Sequence, residues 1–164
     1  MVLIRELIAR LNAAGVEYVI IGGIAARLHG SPIVTEDLDV CCPMTEQNMA
    51  RLLDAIGPLN PLWFDPRRIP LPRNPAELAK FRTMLLITAA GRFDVLRDVD
   101  PIGDFEAVAA QSELLHVDGM PVRVLSIDAL IKSKTAVGRD KDKTGVMHLE
   151  AVKKRKQAPP EATS

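Results

Sequence analysis

The sequence predicts a mixed α+β domain in which a mixed β-sheet is flanked by helices. Two observations carry this reading. Short β-branched or aromatic runs such as Glu17–Ile21 are interleaved with segments whose apolar residues recur at helical spacing. Their order is helix, strand, helix, strand, helix, then strands, then helices, which is not the regular alternation of a parallel α/β sheet. At 164 residues the chain fits one domain. A domain of this size buries about 68–70% of the surface that its unfolded chain exposes, so a core is achievable. Residues 1–156 are expected to form it, with 157–164 as a flexible, polar, proline-containing tail.

Leu3, Ile4, Leu7, Ile8 and Leu11 mark a first helix that Gly15 stops. Glu17–Ile21 suits a buried strand, and Gly22-Gly23 ends it. Ile24–His29 makes a short helix before the turn Gly30-Ser31-Pro32. Asp37–Cys42 reads as a second strand. Thr45 then caps an amphipathic helix carrying Met49, Leu52, Leu53 and Ile56, closed by Gly57-Pro58. From Leu59 to Pro75, Pro61, Pro66, Pro70, Pro72 and Pro75 deny regular structure, so a long surface loop is expected. Such loops often serve function, which makes this one a candidate lid or acceptor-binding element. Thr83–Thr88 and Arg92–Leu96 read as strands joined at Ala90-Gly91, and Asp104–Ala110 as a helix. Asp118-Gly119 between Leu114–Val117 and Val122–Leu125 is a strong hairpin signal. Ser126 opens a helix through Val137, and a last helix runs from about Lys141 to Lys154. There is no internal repeat.

Composition removes several function classes. Hydrophobic residues make up 48% and charged residues 26%, as in folded globular proteins rather than disordered ones. Twenty-one basic residues balance 21 acidic ones, so the totals call for neither a nucleic-acid nor a membrane partner. No apolar run approaches the ~18 residues of a membrane span. Arg5, Glu6 and Arg10 interrupt the apolar pattern at the N-terminus, against a signal peptide. Cys41 and Cys42 are adjacent with no other thiol to pair with, and a vicinal disulfide would be strained. Two reduced thiols in a reducing compartment follow, and a cytoplasmic location with them.

Three features carry chemistry. Gly22-Gly23 lies where a strand gives way to a helix, and missing side chains there let backbone N–H groups approach a phosphate. Serving only the turn is the commoner role of such a pair. In Thr35-Glu36-Asp37-Leu38-Asp39-Val40 a strand places Asp37 and Asp39 on one face, with Leu38 and Val40 turned to a core. Two adjacent carboxylates repel unless a cation lies between them, and magnesium, which favours hard oxygens, suits the pair. A solvated sheet edge is the plainer account of an isolated Asp-x-Asp. Asp94, between Phe93 and Val95, is either the exposed side of a half-buried strand or a third carboxylate that orients an attacking hydroxyl.

Taken in order, these residues resemble the polymerase-β-like nucleotidyltransferase superfamily: Gly22-Gly23, thirteen intervening residues, then Asp37-Leu38-Asp39. Ile20–Ala26, His29–Pro32 and Thr35–Val40 resemble more closely its stand-alone AbiEii/MenT-like branch. The likeness continues through Gly91–Leu96 and Ser126–Ile131, and ends at Lys134 and Gly138–Asp142. It implies a minimal nucleotidyltransferase fold with a curved mixed sheet. It also implies magnesium-dependent transfer of a nucleoside monophosphate from a nucleoside triphosphate. By similarity Asp37, Asp39 and Asp94 would bind metal, and with Lys134 form the catalytic set. Gly22, Gly23, Thr35, Lys134, Arg139, Lys141 and Asp142 would surround the nucleotide. That division fits phosphoryl transfer, which rests on positioning and charge neutralisation. For Lys134 alone a solvated helix face is the equal alternative. Two departures stand out: many relatives have Arg near Ile33-Val34, and many have Ser where this chain has Gly23.

The branch includes toxins of toxin–antitoxin pairs, so a toxin with an antitoxin partner is one expectation. The acceptor would be tRNA, a protein or a small molecule, recognised through the proline-rich loop, a homodimer or a partner. A non-catalytic module that keeps the fold and binds nucleotide is the rival. Lys153-Lys154-Arg155-Lys156 suits a solvated helix terminus better than an RNA contact. Trp63-Phe64 suits packing of the loop better than base stacking. His29, His116 and His148 lack the spacing of a zinc site.

Overall fold

The computed structural model describes residues 2–160. Seven of the described strands form one mixed sheet in the order β3-β4-β5-β2-β1-β9-β8. They are β1 Val19–Ile21, β2 Leu38–Cys41, β3 Leu62–Trp63, β4 Thr83–Thr88, β5 Gly91–Leu96, β8 Ser112–Val117 and β9 Met120–Leu125. β2 runs parallel to β5 and β1 parallel to β9, while the remaining pairs are antiparallel. A separate two-stranded ribbon, β6 Asp98–Val99 with β7 Gly103–Asp104, was not expected from the sequence. Its strands are too short to show an alternation.

The helices are α1 Val2–Ala13, α2 Gly22–Leu28, α3 Glu46–Ile56, α4 Pro75–Leu78, α5 Phe105–Ala110, α6 Ile127–Val137 and α7 Asp140–Gln157. Thr45 caps α3 by accepting from Asn48 N–H, and Ser126 caps α6 by accepting from Ala129 N–H. Asp118 and Gly119 both have positive φ, as the tight turn between β8 and β9 requires. Of the expected tail, Gln157 still closes α7, while residues 161–164 lie outside the described part.

Register divides the sheet into two faces. Ile20 pairs with Val40, Val40 with Val95, and Val95 with Met84; Leu38 pairs with Phe93, and Phe93 with Leu86. All seven side chains are essentially inaccessible, so this face holds the core. Leu7, Ile8 and Leu11 of α1, Met49, Leu52 and Ile56 of α3 and Leu78 of α4 complete it. Burying each such side chain contributes roughly 1.5–3 kcal/mol. Asn48 ties the layers together: it is buried, accepts from Glu17 N–H, and donates to Glu17 O and Pro43 O.

The expected loop 59–75 contains more structure than its prolines suggested. Gly57–Leu59 form a 3₁₀ turn, β3 pairs with β4, and Asn74 caps α4. Proline is tolerated because β3 is an edge strand. Its outer side is closed by Trp63 N–H to Ile69 O and Leu71 N–H to Pro61 O, so the N–H that Pro70 lacks is not needed.

Candidate active site

The other face of the sheet carries the carboxylates. Asp39 is the register partner of Asp94 on the parallel neighbour β5, of Ile21 on β1 through its other edge, and Asp94 in turn faces Leu85 on β4. Side chains of paired residues stand side by side, so Asp39 and Asp94 share one spot. Burial, then the charges of Asp94 and Asp37 and a hydrogen bond with Asp94, push the Asp39 carboxyl up to about 7. Asp37 immediately precedes β2 and is half-buried. Such an arrangement is unfavourable as dianion or trianion and becomes favourable when a hard cation is added.

Gly22 forms the floor beneath Asp39. It opens α2 with φ +67°, and a methyl group there would lie 2.5 Å from Asp39 Oδ2. The glycine pair therefore begins the helix rather than merely ending the strand. A Cβ on Gly23 would lie 2.8 Å from Thr35 Cγ2 and 3.3 Å from Thr35 Oγ1. Thr35 thus fills the space that a side chain at position 23 would need.

Asp94 already has a cationic partner. One terminal nitrogen of Arg92 donates to both carboxylate oxygens, at 2.9 and 3.2 Å. Its guanidinium lies 3.6 Å from the centre of the Phe64 ring, and its buried Nε has no hydrogen-bond partner. Arg92 stands two residues before Asp94 on β5, hence on the same face. That spacing was readable in the sequence; the placing of Phe64 over it was not, because it depends on β3 joining the sheet edge.

On the opposite side of Asp94 along β5 lies Leu96, which lines a cleft of about 570 Å³. Gly22, Lys134, Arg139 and Asp142 border it. Arg82, Thr83, Asp98, Asp100 and Ser133 also border it, and none of these was anticipated. Arg82 pairs with Asp98 at 3.0 Å, a contact that depends on the β6–β7 ribbon. Lys134 lies across Gly145, whose hypothetical Cβ would be 3.5 Å from Nζ. Asp142 is buried, and burial opposes its charge. A 2.7 Å hydrogen bond from Arg139, that residue's charge and those of Lys134 and Lys141 outweigh this and hold its carboxyl below the usual range. Lys141 itself is exposed. Asp37, Asp39, Asp94, Gly23, Thr35 and Lys141 are not part of the cleft lining.

Among the described residues no three His, Cys, Asp or Glu side chains form a ready-made metal cage. The donors nevertheless fit a divalent cation: hard carboxylate oxygens, with the Asp39 carboxyl pushed up to about 7 by burial and by its acidic neighbours, and a guanidinium resting on Asp94. Among the described residues no helix is long and apolar enough to cross a membrane.

No protein-family model matches this chain, and no curated protein matches it. Solved structures do. A protein assigned as a nucleotidyltransferase from Thermotoga maritima superposes with a TM-score of 0.54 at 14% identity, over 93% of this chain and 91% of that one. The antibiotic-resistance factor ANT(2″)-Ia gives 0.58 at 14% identity, over 95% and 90%. In complex with adenylyl-2″-tobramycin the same factor gives 0.51 at 16%, over 94% and 97%. An antigenic nucleotidyltransferase-like protein from Paracoccidioides brasiliensis gives 0.56 at 19%, over 89% and 71%. The chain has the nucleotidyltransferase fold, with its mixed open sheet flanked by helices.

Proposed function

We propose that this chain is a magnesium-dependent nucleotidyltransferase that moves a nucleoside monophosphate from a triphosphate to an acceptor hydroxyl. The observation that carries the reading is the register pairing of Asp39 with Asp94 above Gly22, beside a cleft edged by Lys134 and Arg139. Asp37, Asp39 and Asp94 would hold the metal, which when bound supplies positive charge to the phosphates and the attacking oxygen. Lys134 and Arg139 would neutralise the triphosphate, and Gly22, Gly23 and Thr35 would let it approach the start of α2. The acceptor oxygen bonds to the α-phosphorus as the bond to pyrophosphate breaks, and Asp94 takes the hydroxyl proton.

The AbiEii/MenT-like motifs suggest, more finely, a toxin whose acceptor is tRNA or protein and whose partner is an antitoxin. ANT(2″)-Ia, captured with adenylyl-2″-tobramycin, suggests a small-molecule acceptor instead. The Arg92–Asp94 ion pair favours one rival, a nucleotide-binding module whose third carboxylate is permanently engaged. The separating experiment incubates the chain with each α-labelled triphosphate, magnesium, and cellular RNA and protein. Label transfer that disappears in Asp39→Asn and Asp94→Asn supports the enzyme. Transfer that survives both substitutions sinks the site, and nucleotide binding without transfer selects the module.

A further inference from the structure

Two guanidinium groups converge on one aromatic ring outside the triphosphate cleft. Arg92 lies 3.6 Å and Arg68 5.2 Å from the Phe64 centroid. Phe64 is 43% exposed, as is its neighbour across the strands, Leu85. Phe64, Asp65, Pro66 and Arg68 line a hollow of about 280 Å³. Arg68 is held at φ +52°, a conformation that side-chain-bearing residues rarely adopt and that often marks a functional loop. Arg67 is paired with Asp65, whereas Arg68 has no ion-pair partner among the described residues. Like charges gathered at one ring, one of them on a strained backbone, suit an anion between them.

The location gives this surface a role. On β5, Leu96 faces the cleft and Arg92 lies on the other side of Asp94. Attacking and leaving oxygens stand roughly in line through the transferred phosphorus. With the triphosphate in the cleft, the acceptor hydroxyl must reach Asp94 from the side of Arg92 and Phe64. We propose that the acceptor is anionic, carrying a phosphate beside its hydroxyl, and that Arg92 and Arg68 recognise that phosphate. The inference rests on the nucleotidyltransferase reading and narrows it: a polyamine acceptor such as tobramycin is disfavoured on this surface. Once a cation takes over Asp94, the Arg92 donors become free for the acceptor. The shared chemistry, a hydroxyl next to a phosphate, occurs in small phosphate esters and at the 3′ end of a nucleic acid.

Trp63, the chain's only tryptophan, adjoins Phe64 and packs edge-on against Phe81 at 5.0 Å, so its fluorescence reports on this surface. The magnesium-loaded protein is titrated with glycerol 3-phosphate, a short single-stranded oligonucleotide bearing a 3′-hydroxyl, glycerol, and tobramycin. A saturable change with either anionic probe, absent with glycerol and tobramycin, is the expected result, and the probe that responds identifies the source. Arg68→Ala and Arg92→Lys are each expected to weaken that response about tenfold, as loss of a charge-assisted or forked contact does. A response to tobramycin alone, no response to either anion, or an anion response unchanged in both variants overturns the proposal. The thermal shift given by triphosphate and magnesium is measured in parallel. Anion binding without any such shift overturns the enzyme reading and the acceptor role together, whereas a shift without anion binding overturns the acceptor role alone.

Discussion

Asp39 and Asp94 are direct register partners on the parallel strands β2 and β5, with Gly22 beneath one and Arg92 against the other. Three elements, β2, β5 and α2, thus converge on a spot where carboxylates crowd together. Folding tolerates that crowding at a cost in stability, and functional sites commonly carry such costs.

Neutralising one member should therefore stabilise the metal-free protein while destroying its response to metal. Asp39→Asn is expected to raise the unfolding free energy by about 1–2 kcal/mol at pH 8 without metal, the scale on which close like charges act. The same variant should lose the rise in Tm that magnesium and triphosphate give the parent. Thermal unfolding with and without ligand checks both halves.

The pH dependence has a definite sign. The folded Asp39 carboxyl titrates at about 7 against an ordinary 3.8, so between those values the folded chain holds a proton that the unfolded chain releases. This group's contribution to stability is complete below about pH 4 and is lost as pH rises through 7. Without metal, the stability advantage of Asp39→Asn over the parent should grow from pH 5 to pH 8. Metal affinity should run the other way, rising by up to about tenfold per pH unit below 7 and levelling above it. Calorimetric magnesium titrations at several pH values, in parent and variant, test this.

Gly22→Ala attacks the floor of the site. The added methyl would stand 2.5 Å from Asp39 Oδ2, on a backbone at φ +67°. A cost of about 1–3 kcal/mol is expected from the backbone and the displaced carboxylate. Chemical denaturation measures the loss, and the magnesium response should fall more than stability alone explains. Gly91→Ala, also at positive φ but with nothing within 4 Å, should lose stability and leave the metal response intact.

Most of the sheet was legible because alternation and turn chemistry agree there. Asp118-Gly119 specified its hairpin, and Thr83–Thr88 and Arg92–Leu96 showed both faces of a half-buried pair. The two aspartates were legible for the same reason, since a period of two assigns Asp39 and Leu38 to opposite faces. The loop 59–75 holds more structure than its sequence shows, because five prolines outweigh a two-residue strand whose pairing is made by Trp63, Phe64, Ile69 and Leu71 backbone groups. Arg82 and Asp98 could not have been joined to the cleft from sequence, because the cleft wall depends on how α6 and α7 fold back beside β5. Asn48 left no signal either: a buried amide bonded to the backbone resembles any polar residue on a helix.

That last residue makes a clean stability test. Asn48→Ala removes bonds to Glu17 N–H, Glu17 O and Pro43 O while leaving those part-buried groups in place. A loss of about 1–3 kcal/mol is expected, because part-buried backbone groups left without a partner cost more than the bonds contributed. Denaturant titration gives the number. Magnesium and triphosphate should still stabilise the variant, since Asn48 acts on the face away from the carboxylates.

Lys134 gives the opposite pattern. Its stem lies across Gly145, and its charge helps hold Asp142 ionised. Lys134→Met keeps the stem and its packing but removes the charge. Stability should change by less than about 0.5 kcal/mol, as for most partly exposed substitutions. Triphosphate affinity should fall by about 10–100-fold, equivalent to roughly 1.4–2.8 kcal/mol. Magnesium binding without nucleotide should stay close to the parent's, because the carboxylates are untouched. Calorimetry with triphosphate and with magnesium alone separates the two, and equal losses for both would place Lys134 in the metal site rather than on the phosphates.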